Sequence, residues 1–232
     1  MQNPLVVGYR GEIGSFILSG LLRTMPKALN IWCVDIMETE SEVTDRIKKS
    51  DVIFLCTPMN LTHSWLLKYK DHLQDKVIIE QCSLKSWLFD IPELAELDIR
   101  SMHILFRPSA TPNKSDRTVI LLKDQMDVSE VSNIQNITES EIVFYDSTIE
   151  HDQDMALQQA LVHRTMTVLS DMLDKSKATT FLGKRIMEIG ERIKQGDPAL
   201  YSMIQNNAAL PDVMQRMIMR LQFFGMAQIF KD

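Results

Sequence analysis

Apolar runs and helical patterns alternate over the first 149 residues of the chain. Seven short runs are rich in Val, Ile, Leu and Phe, and several are apolar throughout, which is typical of parallel strands covered on both faces. Helical patterns lie between the first four runs, for example at residues 13–24 and 61–72. This order predicts repeated βαβ units and therefore an α/β domain. The seven runs span residues 5–7, 30–34, 51–56, 76–80, 101–106, 118–122 and 142–145.

The pattern becomes helical after Thr148, where apolar residues recur at helical spacing over residues 150–175. Further helices are predicted at residues 181–194, 199–207 and 213–230, separated by Gly-Asp-Pro and Leu-Pro-Asp breaks. We therefore predict two domains, 1–149 and 150–232, of which the second is small and all-helical. Because about 80 residues are few for an independent core, we expect this domain to pack on the first or to form a homodimer.

Composition narrows the class of protein. The chain has 232 residues, of which 45% are hydrophobic and 24% charged, as in soluble globular proteins. Its net charge of -6 argues against a nucleic-acid partner, which needs a clustered basic surface, but allows a small anionic ligand. No basic and apolar leader and no membrane-spanning run is evident, so we expect a cytoplasmic protein without a membrane partner.

The cysteines and histidines do not predict a metal site. Cys33, Cys56 and Cys82 are odd in number and far apart, and each lies in or just after an apolar segment. This placement favours reduced, buried thiols over disulfides. A nucleophilic role for Cys82 is the alternative to packing. No two of the histidines that interrupt these segments share a ligand spacing with a third donor.

A glycine-rich turn follows the first predicted strand, where residues 6–15 read V-V-G-Y-R-G-E-I-G-S. Gly8 and Gly11 allow a sharp turn whose N–H groups meet a phosphate, and Gly14 allows the helix beginning at Ile13 to pack closely on the strand. The spacing departs from G-x-G-x-x-G because Tyr9 stands where its first glycine would fall. In this strand–turn–helix context, we interpret the turn as a Rossmann-type dinucleotide site.

Asp35 closes the second strand about 20 residues after the glycines, where a carboxylate binds the ribose hydroxyls of NAD and repels the 2′-phosphate of NADP. We therefore predict NAD as the cofactor. Thr57 and Pro58, after the third strand, are also assigned to its site. Arg10 lies either beside the phosphates or, equally, on an exposed loop.

Three polar stretches interrupt strongly patterned segments. Each also has a structural explanation: Ser83 caps a short helix that begins at Lys85, His103 is a core histidine, and Glu150 and Asp152 favour a helix N-terminus by charge. The first stretch ends the fourth strand, where open α/β sheets bind their ligands. The three stretches span residues 80–85, 103–108 and 150–163.

Together these stretches resemble the prephenate dehydrogenase family, in particular the dehydrogenase part of its bifunctional chorismate mutase/prephenate dehydrogenase members. The glycine turn is similar in spacing to the turn of that branch, and C-S-L-K resembles its S-V-K. H-I-L-F-R-P resembles H-P-M-F-G-P, and E-H-D-Q-D-M-A-L-Q-Q-A-L-V-H resembles E-H-D-x-x-M-x-x-x-Q-A-L-x-H. Arg192-Ile193, followed by Asp197 and Ala199-Leu200-Tyr201, resembles the segment that carries the family's substrate-binding arginine.

The resemblance implies an NAD-dependent oxidative decarboxylation of prephenate or arogenate, in which hydride leaves C4 and the ring carboxylate leaves as CO2. His103 would hold the C4 hydroxyl and accept its proton, and Ser83 would orient His103 or that hydroxyl. Arg192 would bind a substrate carboxylate, with Lys85 as a second cation. Gln159 and His163, one helical turn apart, would line the substrate pocket.

Two residues beside His103 depart from the family pattern: Ile104 stands in place of the family's proline, and Arg107 in place of its glycine. Arg107 would bind a substrate carboxylate, narrow the pocket or block it. An amino-substituted prephenate is therefore an alternative substrate. The same residues also allow a catalytically weakened NAD-binding sensor, or an unrelated NAD-dependent hydroxyacid or imine enzyme. Without a chorismate mutase segment we expect no such activity, and the helical part is shorter than the family's usual dimerisation region.

Overall fold

One seven-stranded sheet organises the N-terminal part of the computed structural model, which describes residues 3–25 and 30–229, with side chains as far as residue 223. All seven predicted strands are present. They are β1 (Pro4–Val7), β2 (Trp32–Val34), β3 (Val52–Leu55), β4 (Val77–Glu80), β5 (Asp98–Ile104), β6 (Thr118–Leu122) and β7 (Glu141–Tyr145). The helices between them are α1 (Glu12–Thr24), α2 (Glu40–Lys49), α3 (Met59–Leu73), α4 (Ser86–Phe89) and α5 (Val128–Thr138).

The strand order is β2-β1-β3-β4-β5-β6-β7, and the first five strands in sequence are parallel. The sequence pattern predicted parallel strands, but β6 runs antiparallel to β5 and parallel to β7. The chain crosses from one side of β1 to the other between β2 and β3. The carboxyl ends of β1 and β3 therefore form the switch point at which open α/β sheets bind ligands.

Two hydrophobic layers cover the sheet. Buried residues of α2 and α3 pack on one face, with Ile47 and Leu66 completely buried there. Buried residues of α1 and α5 pack on the other face, where Ile17 and Ile134 are completely buried. Capping boxes begin α2 and α5, which fixes the helix starts at the residues seen. Helix α5 was not predicted from the sequence.

The chain divides into two compact units, Met1–Thr148 and Ile149–Asp232. The boundary lies one residue before the one predicted from the sequence, between residues 149 and 150. The second unit contains α7 (Val162–Asp174), α8 (Phe181–Lys194), α9 (Pro198–Gln205) and α10 (Leu210–Ile229). Helix α6 (Thr148–Met155) leads into α7 through a π-helical segment at Ala156–Leu161, which replaces the uninterrupted helix that was predicted. Residue 230, the predicted end of the last helix, lies outside the described residues. Among the helices described, none is both long and apolar enough to cross a membrane.

The helical unit has a small core of its own. Ala156 and Ala160 of the π-helical segment are completely buried against Ile204, Leu210 and Val213. Helices α7 and α8 approach closely at a glycine, because a Cβ atom at Gly190 would lie 2.3 Å from the Cβ of Ser170. Small residues thus set the helix separation in this unit.

Candidate functional site

The glycine turn is built by backbone contacts that leave no room for a Cβ atom at Gly8 or Gly14. Gly8 has a left-handed φ of +78°, and its N–H donates to the carbonyl of Val34 on β2. A Cβ atom at Gly8 would lie 2.7 Å from the carbonyl O of Cys56, and one at Gly14 would lie 2.1 Å from the carbonyl O of Gly8. The N–H of Gly11 closes the turn by donating to the same Gly8 carbonyl. The turn is therefore a close-packed cradle at the switch point, and it fits a dinucleotide diphosphate.

Asp35 lies directly beside this cradle. Its Oδ2 accepts from the backbone N–H of Arg10 at 2.9 Å, and its Oδ1 accepts from the N–H of Ile36 at 2.9 Å. A second carboxylate is adjacent, since Glu38 Oε2 accepts from the N–H of Asp35 at 2.7 Å. Each carboxylate oxygen has a second lone pair for a ribose hydroxyl. Glu38 also pairs with Arg46 at 3.5 Å, which leaves Asp35 as the carboxylate that opposes a 2′-phosphate.

The remaining residues assigned to the cofactor surround the same turn. Arg10 is exposed, and its Nε donates to the Tyr9 hydroxyl at 3.0 Å, so both of its interpretations stay open. Thr57 shares a hydrogen bond of 2.9 Å with Thr62 in the loop beside Gly8. Pro58 directly precedes Met59, the first residue of α3. Ile13 is the second residue of α1.

Lys85 is not placed as a substrate ligand, and here the expectation from the sequence was wrong. Its side chain is completely buried, with Nζ 2.5 Å from Glu80 Oε1, and it donates to the carbonyl of Met102 at 3.1 Å. The other carboxylate oxygen of Glu80 accepts from the N–H of Cys82 at 2.7 Å. The charge of Lys85 is thus balanced inside the protein, where it ties the end of β4 to β5 one residue before His103.

His103 and Ser83 lie at the ends of neighbouring strands. His103 is 2% exposed on β5, and Glu80 at the end of β4 pairs in register with Ser101, two residues before it. Ser83 is half-buried, three residues beyond Glu80. It does not cap α4, because the N-cap residue of that helix is Lys85. The parallel register therefore brings both residues to the carboxyl edge of the sheet.

Two side chains at this edge have buried polar atoms without a partner in the described part of the chain. Both amide atoms of Gln81 are buried without a hydrogen-bond partner among the described residues, and so is the hydroxyl of Ser101. Buried polar groups in native proteins are normally paired, so orphaned ones indicate a place for a ligand. Sequence reasoning did not single out Gln81, whose position between a buried strand and Ser83 was the available signal.

Arg107 contacts the glycine turn. Its Nε donates to Glu12 Oε2 at 2.9 Å, while Glu12 Oε1 accepts from the N–H and the hydroxyl of Ser109 at 2.8 and 2.5 Å. Burial alone would raise the pKa of Glu12, but the hydrogen bonds from Ser109 and Arg107 lower it below its ordinary value. This contact does not support the expectation that Arg107 binds a substrate carboxylate, narrows the pocket or blocks it.

A second polar cluster lies in the helical unit, on α6, which carries the Glu-His-Asp motif at residues 150–152. The buried His151 Nδ1 lies 2.7 Å from Asp152 Oδ1, and Asn207 donates to the Asp152 carbonyl at 2.7 Å. The π-helical segment after it carries Gln159, and such segments frequently mark functional sites. His163, on the next turn, has a buried Nδ1 without a hydrogen-bond partner among the described residues.

The ring of His163 stacks on Tyr201, with centroids 5.8 Å apart and planes at 13°. Burial lowers the pKa of His163, so its imidazole is neutral near pH 7. Tyr201 belongs to the last of the sequence motifs but was not assigned to the site. Arg192 is exposed in the last turn of α8, and within the described part of the chain no carboxylate lies at salt-bridge distance from it.

The Cys82 side chain is packed, as its apolar context suggested. It is 3% exposed, and burial raises the pKa of its thiol well above the ordinary value. Its Sγ lies 3.6 Å from the hydroxyl of Thr62. A thiol with a raised pKa is a poor nucleophile, which favours packing over the catalytic alternative.

No family profile matches the sequence, and no curated protein sequence matches it. Solved structures do match it. A Corynebacterium glutamicum protein provisionally assigned as a prephenate dehydrogenase is 16% identical, with a TM-score of 0.73 over 95% of this chain and 79% of that one. Prephenate dehydrogenase from Aquifex aeolicus is 18% identical, with a TM-score of 0.71 over 100% of this chain and 94% of that one.

A more distant match is pyrroline carboxylate reductase from Plasmodium falciparum with NADP bound, at 16% identity and a TM-score of 0.52 over 98% of this chain and 93% of that one. These likenesses establish the fold. The chain has the prephenate dehydrogenase-like architecture, a Rossmann-type domain followed by a helical region. The resemblance found in the sequence motifs is confirmed at the level of the fold.

Proposed function

We propose that the protein catalyses the NAD+-dependent oxidative decarboxylation of prephenate or arogenate, giving 4-hydroxyphenylpyruvate or tyrosine. The observation that carries the proposal is the arrangement at the carboxyl edge of the sheet. The glycine cradle and Asp35 follow β1 and β2, Ser83 follows β4, and His103 is the second-last residue of β5. Fold likeness to prephenate dehydrogenases supports it. When bound, NAD+ would supply the hydride acceptor.

The residues of the N-terminal unit would hold the cofactor and move the proton. The glycine cradle would bind the diphosphate, Asp35 with Glu38 would bind the adenosine ribose, and Asp35 would favour NAD+ over NADP+. His103 would accept the proton of the C4 hydroxyl, a role that suits a neutral imidazole, and Ser83 would orient it. That proton returns to the ring oxygen after the C1–carboxylate bond breaks and its electron pair makes the ring aromatic.

The residues of the helical unit would recognise the substrate. Arg192 offers an exposed guanidinium without a carboxylate partner in the described part of the chain, so it is available to a substrate carboxylate. Gln159 and the neutral His163 would contribute polar contacts beside the apolar face of Tyr201. An amino-substituted prephenate is the second candidate substrate, because Ile104 changes the residue that directly follows His103.

The test is NADH formation by the purified full chain with NAD+ or NADP+ and, in turn, prephenate, arogenate and 4-amino-4-deoxyprephenate. We expect turnover with one of them and a preference for NAD+. A His103→Asn variant should lose turnover while keeping NAD+ binding, and His72→Asn, which changes an exposed histidine of α3, is the matched control. NAD+ binding without turnover of any substrate would instead support a sensor.

We propose a homodimer formed through the helical unit. Large apolar side chains are exposed there, including Met172 at 65%, Phe181 at 77% and Leu182 at 67%. Exposed apolar clusters on small units commonly mark interfaces. Sedimentation velocity should give twice the monomer mass, and a Phe181→Glu variant should weaken the dimer. A wild-type protein that stays monomeric at assay concentrations would contradict the dimer without touching the catalytic proposal.

A further inference from the structure

The contact between Arg107 and Glu12 joins the segment after His103 to the start of α1. Glu12 is the first residue of α1, next to the N-cap residue Gly11, and 95 positions separate it from Arg107. Two further donors come from Ser109, so three hydrogen bonds from residues 107–109 converge on one carboxylate. The two bonds from Ser109 hold the Glu12 carboxylate in place, and the third, from Arg107 Nε, places the guanidinium beside it.

Glu12 presents an electrostatic problem for the proposed cofactor. The first N–H groups of α1 have no acceptors within the helix and carry the positive end of its dipole, so they suit a diphosphate. A carboxylate on the first helical residue would repel that diphosphate unless a cation neutralises it. Arg107 supplies this cation at 2.9 Å, which leaves the cradle with no net negative charge from the pair.

Arg107 also keeps donors that Glu12 does not use. Only Nε contacts the carboxylate, and the side chain is 74% exposed. Its two terminal amino groups have no acceptor within the described residues, and an arginine fork suits phosphate oxygens. The chain therefore presents a guanidinium, oriented by Glu12, next to the close-packed glycine turn.

We infer that Arg107 is a ligand of the dinucleotide diphosphate, oriented by Glu12, and that it serves the cofactor and not the substrate. The inference rests on the proposed function for the presence of a dinucleotide. It assigns the arginine that replaces the family's glycine to cofactor binding. It also makes Arg107, which lies four residues after His103, part of the cofactor site.

Calorimetric titration of the purified full chain with ADP-ribose and with adenosine tests this without any turnover. Arg107→Gln should weaken ADP-ribose binding by about tenfold, the effect of one partly exposed charge-assisted contact, and leave adenosine binding unchanged. Arg107→Lys should recover part of the loss, since it keeps the charge but not the fork. The matched control is Lys114→Gln, which breaks an exposed pair with Glu139 of the same kind and should change neither ligand.

The double variant Glu12→Gln/Arg107→Gln distinguishes neutralisation of the Glu12 carboxylate by Arg107 from a purely structural role of the pair. Removing the unbalanced carboxylate should restore part of the ADP-ribose affinity that Arg107→Gln loses. Equal ADP-ribose binding by wild type and Arg107→Gln would overturn this inference and leave the proposed function standing. Equal losses for ADP-ribose and adenosine would also overturn it, because they indicate a structural role. A wild-type chain that binds no ADP-ribose would overturn both proposals.

Discussion

Alanine at Gly14 should be the most damaging single change in the glycine turn. A Cβ atom there would lie 2.1 Å from the carbonyl O of Gly8 and 2.8 Å from the Cα of Tyr9, both backbone atoms that no rotamer change can move. Ordinary contact begins at 3.4 Å, so the turn and α1 must separate by roughly 1 Å. Overpacking of this kind costs about 3 kcal/mol, a large part of a typical unfolding free energy.

Alanine at Gly11 is the matched control, because its Cβ atom would meet a single neighbour, the Gly8 carbonyl O, at 3.3 Å, and its φ is −70°. We expect a change of less than about 1 kcal/mol there. Gly8→Ala should fall between, at about 1–3 kcal/mol, since it strains a left-handed residue.

The assay for this series is urea unfolding followed by tryptophan fluorescence. All three tryptophans, Trp32, Trp65 and Trp87, lie in the N-terminal unit, so the signal reports on the unit that contains the turn. The midpoint shift at constant slope gives the change in unfolding free energy. Equal losses at Gly14 and Gly11, or a loss below about 1 kcal/mol at Gly14, would refute the close-packed cradle.

Three further predictions concern buried polar groups. Lys85→Met should lower the unfolding free energy by about 3–5 kcal/mol, because it leaves Glu80 buried without its counter-charge. The double variant Glu80→Gln/Lys85→Met should recover most of this loss in urea unfolding, and no recovery would refute the buried ion pair. Gln81→Leu should stabilise the free protein by about 1–3 kcal/mol in urea unfolding, because it removes two buried polar atoms without partners in the described part of the chain; a destabilised variant would show that the amide is satisfied. His163→Phe should keep the stack on Tyr201 and reduce the loss of stability as pH falls below about 6.5. Burial lowers the pKa of His163 in the folded protein, so the unfolded chain binds the proton more tightly and protonation favours unfolding; unchanged pH dependence in urea unfolding would contradict it.

Much of the N-terminal fold could be predicted because buried strands have a strong local signal. Continuous runs such as residues 52–55 and 118–122 are apolar at nearly every position, and each forms a strand. The direction of a strand has no such signal, since a buried strand has the same composition in either orientation. The antiparallel pairing of β5 and β6 was therefore not predicted. The connection between these strands, residues 105–117, contains no crossover helix and only a short turn of 3-10 helix, Lys114–Asp116, which suits an antiparallel pair.

The geometry of the candidate site was predictable where it depends on the local backbone and less so where it depends on long-range pairs. The glycines and Asp35 were recognisable because a tight turn and a strand end restrict residue type locally. The pairing of Glu12 with Arg107 joins positions 95 apart and leaves no mark in the local pattern. Lys85 was taken for a substrate ligand because sequence spacing does not show that its ammonium turns back onto Glu80.

The proposed reaction links two products, and their ratio tests it most directly. Purified protein is incubated with NAD+ and the substrate that supports turnover, and NADH and CO2 are measured in the same reaction. Because hydride loss from C4 and loss of the ring carboxylate belong to one conversion, the account predicts equal amounts of NADH and CO2, both abolished in His103→Asn. NADH without CO2, or CO2 that persists in His103→Asn at the wild-type rate, would contradict it.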